Sequence, residues 1–155
     1  MNSDTSKNSE ITAITVQVSG HMKKSDFQTK VDTEFDDRGI YLVYSYVEDK
    51  NEYHLQYIGK SIDLPERVTE KHEHYNDWLR AADGKEENLS FSIISLPKYI
   101  RILHCEAALI FALQPPINTQ NKKTYDWDEL KVIFSGRKVC GRDYVVANRT
   151  VTLKR

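Results

Sequence analysis

Tyr41, Tyr57, Lys60, Arg67 and Glu106 are side chains whose types together suit hydrolysis at a phosphate group. Hydrolysis of a phosphodiester needs an activated water and groups that stabilise the charge of the transition state. A guanidinium fork can hold a phosphate, and a carboxylate can act through a bound cation. Each residue alone has an ordinary alternative, such as strand packing for a tyrosine or surface exposure for a cation. The case therefore depends on their combination.

Glu106 is the most informative of these residues because of its place on a predicted helix, Tyr99 to Leu113. On a helical wheel it falls within an apolar arc formed by Ile102, Cys105, Leu109, Ile110 and Leu113. A carboxylate on the inward side of a helix is costly unless it is paired or bound to a cation. The alternatives are a position at the helix rim and a buried ion pair with an arginine.

The elements that must position these residues follow from hydrophobic pattern and breakers. Gly39 to Val47 and Tyr53 to Ile58 predict an antiparallel hairpin that Gly59 ends. A helix is expected from Asp63, which can cap it, to the Asp83-Gly84 stop. Leu89 to Leu96 predicts a third strand, which precedes the helix that carries Glu106.

The predicted fold class is α/β (α+β): a small mixed three-stranded sheet core flanked by helices, with a terminal extension at each end. The core spans residues 39–118, the N-terminal extension 1–38 and the C-terminal extension 119–155. Within the extensions, residues 1–9 are expected to be disordered, and 11–18 and 143–153 to form strands. Residues 126–134 are expected to form a short helix.

Composition excludes several classes of protein. The chain has 155 residues, is 39 % hydrophobic and 29 % charged, and carries a net charge of −1. No apolar run reaches the roughly 18 residues of a membrane span, and the polar N-terminus lacks a signal-peptide core, so we expect a cytoplasmic protein. Cys105 and Cys140 are too isolated for a zinc site, and Cys105 is expected in the core. Residues 121–155 carry nine basic and four acidic side chains, so this segment can contact phosphates.

The order of motifs resembles that of the GIY-YIG nuclease family, which includes homing endonucleases, the incision subunit of bacterial nucleotide excision repair and some restriction enzymes. The resemblance covers residues 39–118. It rests on Gly39-Ile40-Tyr41, on Tyr57-Ile58-Gly59, on Arg67 eight residues after that glycine, on Glu106, and on Pro115-Pro116-Ile117-Asn118. Single triplets of this kind arise by chance, but their succession at the family's spacing is specific.

The resemblance implies a role for each motif residue. Glu106 would be the sole protein ligand of one Mg²⁺ (or Mn²⁺), and Arg67 would hold the scissile phosphate. Tyr41 and Tyr57 would flank the attacking water, one as general base and one as its orienter, and the resemblance leaves open which does which. Lys60 would contact a phosphate oxygen or the nucleophile. The amide of Asn118 would tie its loop to the site.

One position departs from the family pattern. Many members have His or Tyr four residues after the arginine, where this chain has Lys71. On a continuous helix, Arg67, Lys71 and His74 share one flank within ~60°, whereas His72 lies ~140° from Arg67. His74 is therefore the expected assisting histidine, and Lys71 is an alternative phosphate clamp.

These implications predict a metal-dependent DNA endonuclease acting on duplex DNA. The short extensions favour a restriction-type enzyme that forms a homodimer, because one site per chain cuts only one strand. A non-catalytic nucleic-acid-binding module on the same fold is the alternative from another class. An RNA, repair or mobile-element nuclease is also compatible with the sequence.

Overall fold

The computed structural model describes residues 12–33 and 38–150, which form a mixed α/β fold around one six-stranded sheet. The predicted disorder of residues 1–9 lies outside this part of the chain. The strands are β1 Thr12–Val18, β2 Gly39–Val47, β3 Glu52–Ser61, β4 Leu89–Ser95, β5 Leu130–Ser135 and β6 Tyr144–Ala147. The helices are α1 Lys24–Thr33, α2 Leu64–Arg67, α3 Tyr75–Ala81 and α4 Ile102–Leu113.

The strand order is β3-β2-β4-β1-β5-β6, and only the β1–β5 pair is parallel. The mixed α/β class is therefore confirmed, but the sheet is twice as wide as the three-stranded core expected from the sequence. The three expected strands are β2, β3 and β4. The other three come from the flanking segments, so both segments belong to the same sheet.

The predicted short helix at 126–134 is wrong, because Leu130–Ser135 is strand β5. Its residues alternate between buried and partly buried, with Leu130, Val132 and Phe134 facing the core. All six pair in parallel with β1, as in Ile14↔Val132. The two-residue period of Leu130–Phe134 is the physical signal of a strand, and pairing with β1 gives this face a core to bury.

The predicted single helix from Asp63 to Ala82 is also wrong. Helix α2 ends at Arg67, a series of turns follows, and α3 begins at Tyr75. Asp63 makes no side-chain capping bond. The intervening residues 69–74 contain no apolar side chain to bury, so helical packing has nothing to stabilise there.

One additional helix and two element boundaries differ from the sequence-based prediction. Helix α1 occupies a polar segment where no helix is expected. Strand β3 does not end at Gly59 but continues to Ser61. Helix α4 begins at Ile102 rather than at Tyr99, whose side chain is exposed.

Apolar cores lie on both faces of the sheet, which explains why β2 is almost continuously apolar. Tyr41 and Val43 point to the core formed with α1, α2 and α3. Leu42 and Tyr44 point to the core formed with α4, where Cys105 is buried as predicted. No helix of the described residues has the length and apolar character needed to cross a membrane.

Helix α1 holds the irregular segment between α2 and α3. Lys24 Nζ lies 3.2 Å from Glu70 Oε2 and 3.3 Å from Glu86 Oε1. Gln28 Nε2 donates to the Val68 carbonyl at 3.1 Å. The contacts to Val68 and Glu70 tie this segment to α1, whereas the contact to Glu86 ties α1 to the turn that follows α3.

Candidate active site

A polar cleft of about 220 Å³ opens beside the edge strand β3. Seven of the eight predicted site residues line it: Tyr41, Tyr57, Lys60, Arg67, His74, Glu106 and Asn118. Lys71 is the exception, since it is exposed and does not line the cleft. Because β3 has no neighbour on one side, residues from both faces of the sheet meet around this edge.

Gly59 makes room for the ring of Tyr41. The two residues are directly paired across β2 and β3. A Cβ at Gly59 would overlap the hydroxyl end of the Tyr41 ring, far inside van der Waals contact. The glycine is thus required by a close approach, and the tyrosine lies completely buried above it.

A β-bulge sets the direction of Tyr57. Val43 pairs with Tyr57 but Tyr44 pairs with Leu55, so Gln56 has no partner on β2. Tyr57 therefore shares a face with Val43 and Tyr41, and its ring centroid lies 6.2 Å from that of Tyr41. Bulges of this kind commonly aim a side chain next to an active site.

His72 is a site residue that the sequence analysis missed. Its Nε2 lies 2.7 Å from Tyr41 Oη, and its side chain is buried. The helical wheel placed His72 away from Arg67 because it assumed one continuous helix. The break between α2 and α3 turns His72 inward instead. The absence of apolar residues at 69–74 is the sequence signal that could have shown this break.

The hydrogen bonds of His72 define its tautomer. The backbone N–H of His74 donates to His72 Nδ1 at 2.9 Å, so Nδ1 carries no proton. Neutral His72 then carries its proton on Nε2 and donates it to the Tyr41 oxygen. Burial, helped by the nearby Arg67 charge, lowers the pKa of His72 to about 4, so the ring is neutral near pH 7. His72 therefore holds Tyr41 by donating a hydrogen bond to its oxygen. The hydroxyl proton of Tyr41 stays available for another acceptor.

His74 occupies the cleft wall, as the sequence analysis expected. Its ring centroid lies 5.0 Å from that of Tyr57. Its Nδ1 lies 3.0 Å from Asp77 Oδ2, a contact that orients the ring. Both histidine rings lie near Tyr57, at 5.6 Å for His72 and 5.0 Å for His74, but only His72 bonds the hydroxyl of Tyr41.

Arg67 and Lys60 bring two cations into a cleft that also holds two carboxylates, Glu73 and Glu106. Glu106 is partly buried on α4, and burial raises its pKa, while Lys60 and Arg67 act in the opposite direction. Arg67 Nη2 also lies 2.6 Å from Oε1 of Glu73, a cleft residue that the sequence analysis did not identify. The cleft therefore combines cations suited to a phosphate with a carboxylate suited to a cation.

The donor set of the cleft fits a hydrated Mg²⁺ or Mn²⁺ held by Glu106. No cluster of three or more His, Cys, Asp or Glu side chains able to hold a metal occurs among residues 12–33 and 38–150. Mg²⁺ keeps several waters and is commonly bound through one or two carboxylates, so a single glutamate in an open polar cleft is compatible with it.

Asn118 ties its loop to β3 as predicted. Its Nδ2 donates to the Ile58 carbonyl and its Oδ1 accepts from the Ile58 N–H, both at 2.9 Å. The neighbouring Ile117 N–H donates to the Gln56 carbonyl at 3.0 Å. The amide therefore acts like one residue of an added strand, and the next residues, 119–121, form a wall of the cleft.

Comparison of the chain with protein-family models, with curated proteins and with solved structures finds no match.

Replacing His72 should change how stability depends on pH. The folded-state pKa of His72, about 4, lies below its ordinary 6.5. The unfolded chain therefore binds a proton that the folded chain resists, and His72 lowers the free energy of unfolding as pH falls from 6.5 to 4. We expect His72→Gln to remove a slope of up to about 1.4 kcal/mol per pH unit in urea unfolding. The exposed His54 provides the control, His54→Gln, and parallel curves for wild type and His72→Gln would contradict the assignment.

Adding a methyl group at Gly59 should displace Tyr41. We expect Gly59→Ala to lower the free energy of unfolding by about 1–3 kcal/mol, the usual cost of overpacking. Gly20→Ala is the matched control, because its Cβ would meet only the flexible end of Arg137, at 3.2 Å. Equal unfolding midpoints and m-values for the two variants would show that the Tyr41 contact is not tight.

Proposed function

We propose that this chain is a metal-dependent endonuclease of the GIY-YIG type that hydrolyses phosphodiester bonds in DNA. The observation that carries the proposal is the convergence of Tyr41, Tyr57, Arg67 and Glu106 on one polar cleft. These residues are far apart in the sequence and come from four elements, β2, β3, α2 and α4. The finer fold assignment is part of the proposal: strands β3-β2-β4 with α2 and α4 would be the family's core.

The cations of the cleft suit a scissile phosphate. Arg67 presents a planar fork of donors that matches two phosphate oxygens, and Lys60 adds a point charge at the exposed end of β3. Both line the same cleft as Glu106. When bound at Glu106, Mg²⁺ (or Mn²⁺) supplies a Lewis acid that stabilises developing negative charge on oxygen.

The two tyrosines would divide the handling of the attacking water. Burial raises the pKa of both phenols, and Tyr41 is the more deeply buried. Tyr57, at the cleft wall, is thus the better candidate for relaying the proton of the water: as a neutral phenol it would take that proton while passing its own hydroxyl proton to the adjacent His74 ring. Tyr41, held by His72, would donate its free hydroxyl proton and orient the water.

The turn between β5 and β6 supports a nucleic-acid partner. Residues 136–142 carry three exposed cations, Arg137, Lys138 and Arg142, and no acidic residue. The backbone hydrogen bonds between Val139 and Arg142 hold the turn, and Val139 is buried beneath it. Lys138 Nζ lies 3.7 Å from Asp143 Oδ1, so Arg137 and Arg142 are the cations of this turn best suited to contacts with the phosphate backbone.

One observation favours the alternative of a non-catalytic nucleic-acid-binding module. Lys71, at the position where many family members have His or Tyr, lies outside the cleft. The retained cleft residues favour the enzyme over this module. A restriction-type role, a homodimer and a cytoplasmic location stay predictions.

Removing the carboxylate of Glu106 should abolish metal-dependent cleavage. We expect wild-type protein to cut plasmid and phage DNA with Mg²⁺ or Mn²⁺ but not with EDTA. Glu106→Gln should lower the rate by roughly 10³-fold, since a catalytic metal contributes several kcal/mol to the transition state. Glu129→Gln, an exposed glutamate outside the cleft, should cleave as wild type does.

The same cleavage measurement, repeated with RNA, distinguishes the alternatives. A Glu106→Gln protein that cleaves as fast as wild type would contradict the metal assignment. Cleavage of RNA but not of DNA would favour the RNA nuclease. Binding of nucleic acid without cleavage of either would favour the non-catalytic module.

The basic turn should contribute to the salt dependence of DNA binding. Neutralising two cations with Arg137→Ala and Arg142→Ala should reduce the slope of log K against log salt by up to about 1.8. Binding of a DNA duplex in EDTA at several salt concentrations measures this slope without cleavage. A Lys50→Ala, Lys85→Ala protein removes the same charge from exposed sites elsewhere. Equal slopes for the two double variants would exclude the turn from the interface.

A further inference from the structure

Glu73 is a cleft residue with no role in the proposed reaction, yet it contacts the arginine assigned to the substrate. Its Oε1 lies 2.6 Å from Arg67 Nη2, and both residues line the cleft. The contact holds the pKa of Glu73 below its ordinary value, so the group is ionised near pH 7. The Glu73 carboxylate thus already binds a donor of the Arg67 guanidinium that would otherwise be available to a phosphate.

The ion pair is not a structural support of the segment that carries it. The Glu73 side chain is 63 % exposed and that of Arg67 39 %, and ion pairs so exposed contribute little to folding. Other bonds hold the segment: His72 N–H donates to the Thr69 carbonyl and Tyr75 N–H to the His72 carbonyl, both at 3.0 Å. Glu73 can therefore leave Arg67 without loss of the surrounding fold.

We propose that Glu73 is an internal competitor of the substrate, which occupies the Arg67 guanidinium until a phosphodiester displaces it. This inference rests on the proposed function of the cleft. Glu73 takes the Nη2 donor of Arg67 through one oxygen, and a phosphodiester oxygen binds the same kind of donor, so the two anions compete for it. The residue would thereby determine substrate affinity rather than the chemical step.

The exchange has a consequence for selectivity. A single weakly bound anion must overcome the tethered carboxylate, whose effective concentration at Arg67 is high. A nucleic acid strand would gain a further phosphate contact at Lys60, which lines the same cleft and would offset the displacement. The competitor thus favours phosphates that belong to a strand over isolated anions.

Cleavage kinetics distinguish competition from positioning of the arginine. We expect Glu73→Gln to lower KM for DNA about two- to fivefold, the range that an exposed ion pair supports, with kcat unchanged. Glu66→Gln is the matched control: it removes the same charge next to Arg67 in sequence, but Glu66 is exposed and does not line the cleft. A fall in kcat for Glu73→Gln, or an unchanged KM, would overturn the inference.

A binding measurement tests the exchange even if the chain cleaves nothing. The Nε–H signal of Arg67, assigned by comparison with Arg67→Lys, is followed by NMR during titration with dimethyl phosphate. We expect tighter binding to Glu73→Gln than to wild type, again about two- to fivefold, and wild-type binding by Glu66→Gln. Equal or weaker binding to Glu73→Gln would overturn the inference. Failure of the proposed function would appear separately, as absence of cleavage by the wild-type chain.

Discussion

The contacts around the phenol of Tyr41 determine the geometry of the cleft. The ring fills the space above Gly59, and its oxygen accepts a hydrogen bond from His72. The first contact requires direct pairing of β2 with β3, and the second requires the chain to leave its helical path after Arg67. Sheet register and helix break are thus linked through one side chain. A shift in either would move the tyrosine relative to the rest of the cleft.

The electrostatics of the cleft depend on opposite charges held close together without full burial. Glu106 is desolvated by its helix, and Arg67 and Lys60 compensate part of that cost. Arg67 in turn has Glu73 as a partner that is easily replaced. Partial exposure keeps the Arg67–Glu73 pair weak, and a weak pair allows a charged ligand to rearrange it. A fully buried network of the same residues would be more costly to form and to open.

The sequence predicts the strands and helix that carry the motif residues, because their apolar runs are long and their breakers are clear. It also places Glu106 on the inward side of α4 and predicts the tie made by Asn118. It fails where the local signal is short. The two-residue period of β5 covers only Leu130–Phe134 and needs β1 as a partner, and the break is marked only by the absence of apolar residues at 69–74. His72 and Glu73 lie in that break, so a helical wheel could not place them.

The tie between residues 117–118 and β3 also affects how two copies of the chain can meet. An edge strand presents free backbone groups to which a second sheet can add. Here Ile117 covers the Gln56 carbonyl and Asn118 covers both polar groups of Ile58, so the middle of this edge is already occupied. The opposite edge is β6, with only four residues. Continuous sheet extension is thus blunted on both sides, a property that opposes amyloid-like stacking.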